Sequence, residues 1–170
     1  WLKKDGFLDP TITSREVIFD MWNGQNSSSA DYGRLRIELT GNVADGSDPI
    51  LLTVLSGTTG FFRQPIAAST FTSASLADGN WHHYAVTMRS ASLGVTTKFY
   101  VDGTLNKTTT LGSIGVNNIS TPGLRANLGA LVTAISGTTT PSVTAAGDGK
   151  LSGSLDEFRY WKTQRTSKQI

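Results

Sequence analysis

Arg34-Leu35-Arg36-Ile37-Glu38-Leu39 places leucine and isoleucine on one face and charge on the other. Strict alternation is the period of a β-strand, not of a helix. It predicts a half-buried antiparallel strand, apolar side inward and charged side to solvent. The same period extends outward from this stretch. Val17, Phe19 and Met21 alternate within residues 15–22, Tyr84, Val86 and Met88 within 81–89, and Phe99 and Val101 within 97–102. Residues 50–55 are more continuously apolar and read as a central strand covered on both faces. Leu155, Phe158 and Tyr160 mark a last long strand over 150–161.

Turn chemistry separates these runs. Of the ten aspartates, five precede glycine, at Asp5, Asp45, Asp78, Asp102 and Asp148. Asp-Gly suits tight hairpins because both residues tolerate positive φ. The clearest case is Val101-Asp102-Gly103-Thr104. Residues 132–149, rich in Thr, Ser, Ala and Gly, read as a long loop or an edge hairpin. No helical pattern of ten or more residues competes, and no internal repeat is visible. Many short strands with turns at this spacing predict an all-β antiparallel sandwich or jelly roll.

Composition agrees. The chain has 170 residues, 18 Gly and no Cys, and about a third of it is Ser, Thr and Gly, a bias towards strands and turns. The length suits a single domain, 1–170. The absence of Cys excludes a disulfide framework, a thiolate metal site and a cysteine nucleophile. No run of about 18 apolar residues is present to span a membrane. Net charge is only +2. The one basic cluster, Arg159, Lys162, Arg165 and Lys168, falls on a strand end and a helical turn, which argues against a nucleic-acid partner. Trp1-Leu2-Lys3-Lys4 reads as the middle of a strand, and residues 166–170 as a capped helical turn cut short. The expectation is a piece of a longer protein.

Four segments in order resemble a known family. Asp78-Gly79-Asn80-Trp81-His82-His83-Tyr84-Ala85-Val86-Thr87 is similar to the "DGxWHHVAVT" strand of laminin-G-like jelly-roll domains. Lys98 to Gly103 resembles their "xLYVDG" hairpin. Gly153 to Trp161, followed by Arg165-Thr166-Ser167 and Gln169-Ile170, resembles the closing "GxIDEVRIW…R…S…I" segment. Trp1-Leu2-Lys3 resembles the early "WVK" strand. The resemblance is to the concanavalin A-like lectin superfamily, and it covers nearly the whole chain. It implies one further strand before the "WVK" strand and another after the final Ile. Within this pattern Trp81 is expected as a core anchor and Asp102-Gly103 as the hairpin turn. Asp156 shares parity with Phe158 and Tyr160, so it is expected to point inward, accept backbone amides and pin a loop.

Some relatives are glycosidases, which need paired carboxylates across the scissile bond. The laminarinase-type pattern sets three acids at alternate positions of one strand. Here Glu16, Glu38 and Glu157 each lack an acid two residues away, and Asp156 and Glu157 face opposite ways on a strand. The expectation is therefore no enzyme. His82 and His83 are adjacent and lack a third histidine, so no zinc site is expected; one should pack under a loop and the other meet solvent. Calcium, which the resemblance makes possible at the sandwich rim, would draw on Asp45 and Asp48, with Asp31 and Asp148 as partners. Asp-Gly turns account for Asp45 and Asp148 without an ion.

Sugar sites in such sandwiches combine an aromatic face with amides in a shallow groove. Trp22-Asn23-Gly24-Gln25-Asn26 and Phe61-Phe62-Arg63-Gln64 have that composition. The candidate ligand-binding residues are therefore Trp22, Asn23, Gln25, Asn26, Phe62, Arg63 and Gln64. Asn26, Asn106 and Asn118 begin glycosylation sequons, about as many as chance supplies. The expected function is a non-catalytic recognition or adhesion module, glycan-binding, in a larger extracellular or surface-displayed protein. The alternative is an assembly or decoration module of a virion or surface layer, with a cell-surface or virion protein as partner and oligomeric assembly. A glycoside hydrolase is the third reading.

Overall fold

The computed structural model describes residues 1–7, 16–41, 48–91, 94–112, 114, 116–119, 123–132 and 149–170. Among the described residues there are eleven strands: β1 (Leu2–Lys3), β2 (Glu16–Trp22), β3 (Gly33–Leu39), β4 (Ile50–Ser56), β5 (Thr59–Pro65), β6 (Trp81–His82), β7 (Tyr84–Ala91), β8 (Gly94–Val101), β9 (Thr104–Leu111), β10 (Arg125–Leu128) and β11 (Ser154–Leu155). A one-turn helix α1 (Ser73–Leu76), capped by Thr72, lies before β6. The candidate hairpin turns through Asp102 and Gly103, at φ of 49° and 76°, the pair of positive angles that a two-residue turn between twisted strands requires.

All pairings are antiparallel. One layer has the order β10-β2-β3-β4-β5. The other is built from β11-β1-β6 and β7-β8-β9, with β6 running into β7 through His83. Between them lie Phe19, Met21, Leu35, Leu39, Leu52, Val54 and Phe99, all buried. The chain is an antiparallel β-sandwich, as the alternation predicts, and Ile50 to Val54 are buried throughout.

Four expectations are corrected. First, the charged face of β3 does not meet solvent: Arg34, Arg36 and Glu38 are at most 1% exposed. Ion pairs let these groups enter the interior, Arg34 with Asp20 of β2 and Arg36 with Glu38 on β3 itself; the Val132 amide bonds Asp20 and Leu131 packs on Val17. Second, Val17 does not share a face with Phe19 and Met21. A bulge between Val17 and Phe19 shifts the register, because an extra residue reverses alternation locally.

Third, the closing strand is only β11, Ser154–Leu155. Glu157 takes φ of 48°, a left-handed conformation that ends the extended run. The same kink corrects Asp156. It stays on the outer side, exposed, with Oδ1 accepting from the Glu157 amide at 2.8 Å, while beyond the kink Phe158 and Tyr160 turn back onto Phe19. Fourth, Trp81 is 45% exposed. It pairs with Lys3 whereas Leu2 pairs with His82, so the buried parity belongs to Leu2 and Trp81 faces out.

Candidate functional site

The seven candidate ligand residues fall into two groups. Trp22 ends β2, and β5 carries Phe62, Arg63 and Gln64. Since β3 and β4 lie between, the groups are three strand spacings apart, about 14 Å. They do not form one site.

At the β2 end, the Trp22 indole is held by its own loop: Nε1 donates to the Gln25 carbonyl at 2.8 Å. Asn23 braces that loop with both ends of its amide. Oδ1 accepts from the amides of Gln25 (3.2 Å) and Gly33 (3.0 Å), and Nδ2 donates to the carbonyls of Asp31 (2.6 Å) and Asn118 (3.2 Å). Its hydrogen-bonding capacity is fully engaged, so Asn23 positions the corner and does not contact a ligand. Gln25 and Asn26 are exposed beside the half-buried indole. Arg125, exposed on β10, pairs directly with Trp22 and joins the corner from 103 residues away in sequence. Its segment, Leu124 to Leu128, alternates over only five residues, and alternation does not say which strand it will pair with.

On β5 the polar groups are occupied internally. Arg63 Nε lies 2.8 Å from Glu38 Oε1, and Gln64 Nε2 donates to the Phe62 carbonyl at 3.3 Å. The Phe62 ring sits 5.7 Å from the Arg36 guanidinium, a cation–π contact within the sheet face. This group belongs to a buried charge network that the sequence pattern did not reveal. Arg34 pairs bidentately with Asp20, Nε to Oδ1 at 2.8 Å. Arg36 pairs with Glu38, and the Val132 amide donates to Asp20 Oδ2 at 2.9 Å. Burial works to lower the Arg34 pKa, but the Asp20 hydrogen bond and charge outweigh it and raise it. Between the two layers, Lys4 Nζ donates to Glu16 Oε2 at 2.6 Å and to the Ser152 carbonyl at 2.8 Å.

Of the calcium candidates, the structure describes Asp48. Asp48 lies 3.6 Å from Lys107, whereas Asp45 and Asp148 lie outside the described residues. Among the described residues no group of three His, Cys, Asp or Glu is arranged to hold a metal. The sequon residues Asn106 and Asn118 are structural. Asn106 Oδ1 accepts from the Ala68 amide at 2.7 Å, and Asn118 Nδ2 donates to the carbonyls of Ala30 and Tyr32. Of the two histidines, His82 is neither packed under a loop nor free in solvent; it is held between Asp78 and Asp102.

A cavity of about 510 Å³ opens between the layers, lined by Phe19, Ile37, Val86, Phe158 and Tyr160 among others. It runs along β7, which among the described residues pairs with β8 on one side only. Tyr84 also lines it, and its buried hydroxyl has no hydrogen-bond partner among the described residues. Burial raises the Tyr84 pKa.

No curated protein and no solved structure matches the chain. A family model described as the concanavalin A-like lectin/glucanases superfamily, of the laminin-G type, matches residues 11–170. With that match over almost the whole chain and an antiparallel sandwich in the structure, the chain belongs to the concanavalin A-like lectin/glucanase superfamily.

Proposed function

We propose that the chain is a non-catalytic glycan-recognition module of a larger extracellular or surface-displayed protein, and that Trp22, Gln25, Asn26 and Arg125 form its contact surface. The observation that carries this reading is the locked Trp22 corner. An indole fixed by Nε1, on a loop braced by four Asn23 hydrogen bonds, presents an aromatic beside exposed amides with little ordering cost on binding. An aromatic surface with a few placed polar groups is the chemistry a sugar needs, one for its apolar face and the other for its hydroxyls. The carboxylates on the adjoining sheet face support a non-enzymatic role, since Asp20 and Glu38 are each neutralised by an arginine.

A glycan array probed with the purified domain tests the site. Selective binding should fall at least about tenfold, the equivalent of 1.4 kcal/mol, in Gln25→Ala and Asn26→Ala, whose exposed side chains leave the fold intact. Trp22→Ala should abolish it. Phe62→Ala, by contrast, should change stability and leave binding alone. Equal binding by the wild type and the Gln25 and Asn26 variants would move the site elsewhere. A blank array with folded protein would favour the assembly role.

A further inference from the structure

A second cluster of titratable groups joins three segments at the end of the sandwich formed by β6 and the β8–β9 hairpin. His82 stands between two carboxylates: Nδ1 lies 2.7 Å from Asp102 Oδ2, and Nε2 lies 3.1 Å from Asp78 Oδ2. Asp102 belongs to the β8–β9 turn, and Asp78 to the loop between α1 and β6. Each carboxylate is itself oriented. Asp102 Oδ1 accepts from the His83 amide at 2.8 Å, and Asp78 Oδ1 from the Asn80 amide at 2.9 Å. The loop is tied to the layer below by the Gly79 amide, which donates to the Lys4 carbonyl at 2.9 Å.

A carboxylate only accepts, so both contacts are hydrogen bonds only when both ring nitrogens carry protons. That condition is met by the imidazolium alone. Neutral imidazole keeps one N–H, and its other nitrogen then turns a lone pair towards a carboxylate. The shorter contact, to Asp102, keeps the proton and the Asp78 arm is lost. We propose that Asp78, His82 and Asp102 form a proton-operated latch that fastens the α1–β6 loop to the β8–β9 hairpin and releases the loop when His82 becomes neutral.

The groups facing His82 are consistent with this. Asp78 faces it from the loop, Asp102 from the hairpin, and the Tyr84 ring from β7 at 6.1 Å. His83, the next residue, has its pKa lowered by burial, and Tyr84 has its pKa raised by burial, so neither competes in this range. Asp5 adjoins Gly79 and adds negative charge at the loop. The Asp102 hydrogen bond, then that to Asp78, raises the His82 pKa above its ordinary 6.5. The Asn80 amide, then His82, lowers the Asp78 pKa to about 2. Burial works against the Asp102 carboxylate, but the His82 and His83 hydrogen bonds outweigh it and lower its pKa.

The sign follows by linkage. A raised histidine contributes fully below about pH 6.5 and loses its contribution as pH climbs through the raised value. The lowered carboxylates contribute above about pH 4 and lose their share as pH falls through their depressed values. The latch is closed between those limits and opens on the alkaline side.

Two measurements on the same sample test it: an NMR titration of the His82 ring, and amide hydrogen exchange corrected for the intrinsic pH dependence. The His82 midpoint should lie above 6.5. Across it the Gly79 and Asn80 amides should lose protection several-fold, while the His83 amide, held by Asp102, changes less. In Asp78→Asn, an exposed change that spares the core, the midpoint should fall towards 6.5 and loop protection should be low at every pH. A midpoint at or below 6.5 would overturn the latch. So would flat Gly79 and Asn80 protection across the midpoint, or an Asp78→Asn profile matching the wild type, with protected β3 and β4 amides showing that the domain is folded.

Discussion

Individual residues show how differently one amino acid type is used. Gly103 sits at φ of 76° with open space where a Cβ would be, whereas a Cβ on Gly33 would lie 2.1 Å from the Asn118 carbonyl oxygen. Gly103→Ala should therefore cost only backbone strain, about 1 kcal/mol. Gly33→Ala must push away the 3-10 turn Asn117–Ile119 and loosen the Asn23 brace, costing about 3 kcal/mol. Urea unfolding of the two variants checks the order, and a larger loss at Gly103 would refute it. The Asp102-Gly103 turn was legible in the sequence because it depends on two adjacent residues. The Asn23 brace was not, because its partners Gly33 and Asn118 arrive from other elements. Asp156 shows the limit of parity arguments: one left-handed residue at Glu157 is enough to cancel them.

At the scale of elements, alternation located the strands well and their partners poorly. It marked β2, β3, β7 and β8, but it did not indicate that β10 would pair with β2 and bring Arg125 to Trp22. Nor did it show that β2 carries a bulge, so that Glu16 and Asp20 point to opposite sides of one sheet. β7 borders the cavity between the layers. Among the described residues it is hydrogen-bonded to a neighbouring strand on one side, and its inward residues Tyr84, Val86 and Met88 are only partly buried. Backbone amides on an unpaired edge exchange through small local openings. Hydrogen exchange should thus find the outward-edge amides of β7 far less protected than those of β3, which has strands on both sides. Equal protection would mean that the cavity beside β7 is closed in solution.

For the whole molecule, the buried charges matter more than their number suggests. Asp20, Arg34, Arg36 and Glu38 are each at most 1% exposed, and each is held by a partner of opposite sign. Removing one member leaves the other charged in the interior, so Asp20→Ala should cost about 3–5 kcal/mol. Replacing the pair, Asp20→Leu with Arg34→Met, should recover most of that loss, because no charge is then stranded. A thermodynamic cycle of the two single variants and the double variant measures this. Additive losses would show that the pair does not act as a unit.

The sequence by itself determined the all-β class, the approximate place of most strands, the β8–β9 hairpin and the superfamily. These follow from period-two alternation and Asp-Gly chemistry, which are local properties. The tertiary structure alone decided that the charged face of β3 is interior and that the candidate ligand residues divide between β2 and β5. It also decided that Arg125 joins Trp22, and that His82 stands between two carboxylates from separate segments. Each of these depends on which strand lies beside which. That choice rests on contacts between residues far apart in the chain, and periodicity within a single strand carries no record of them.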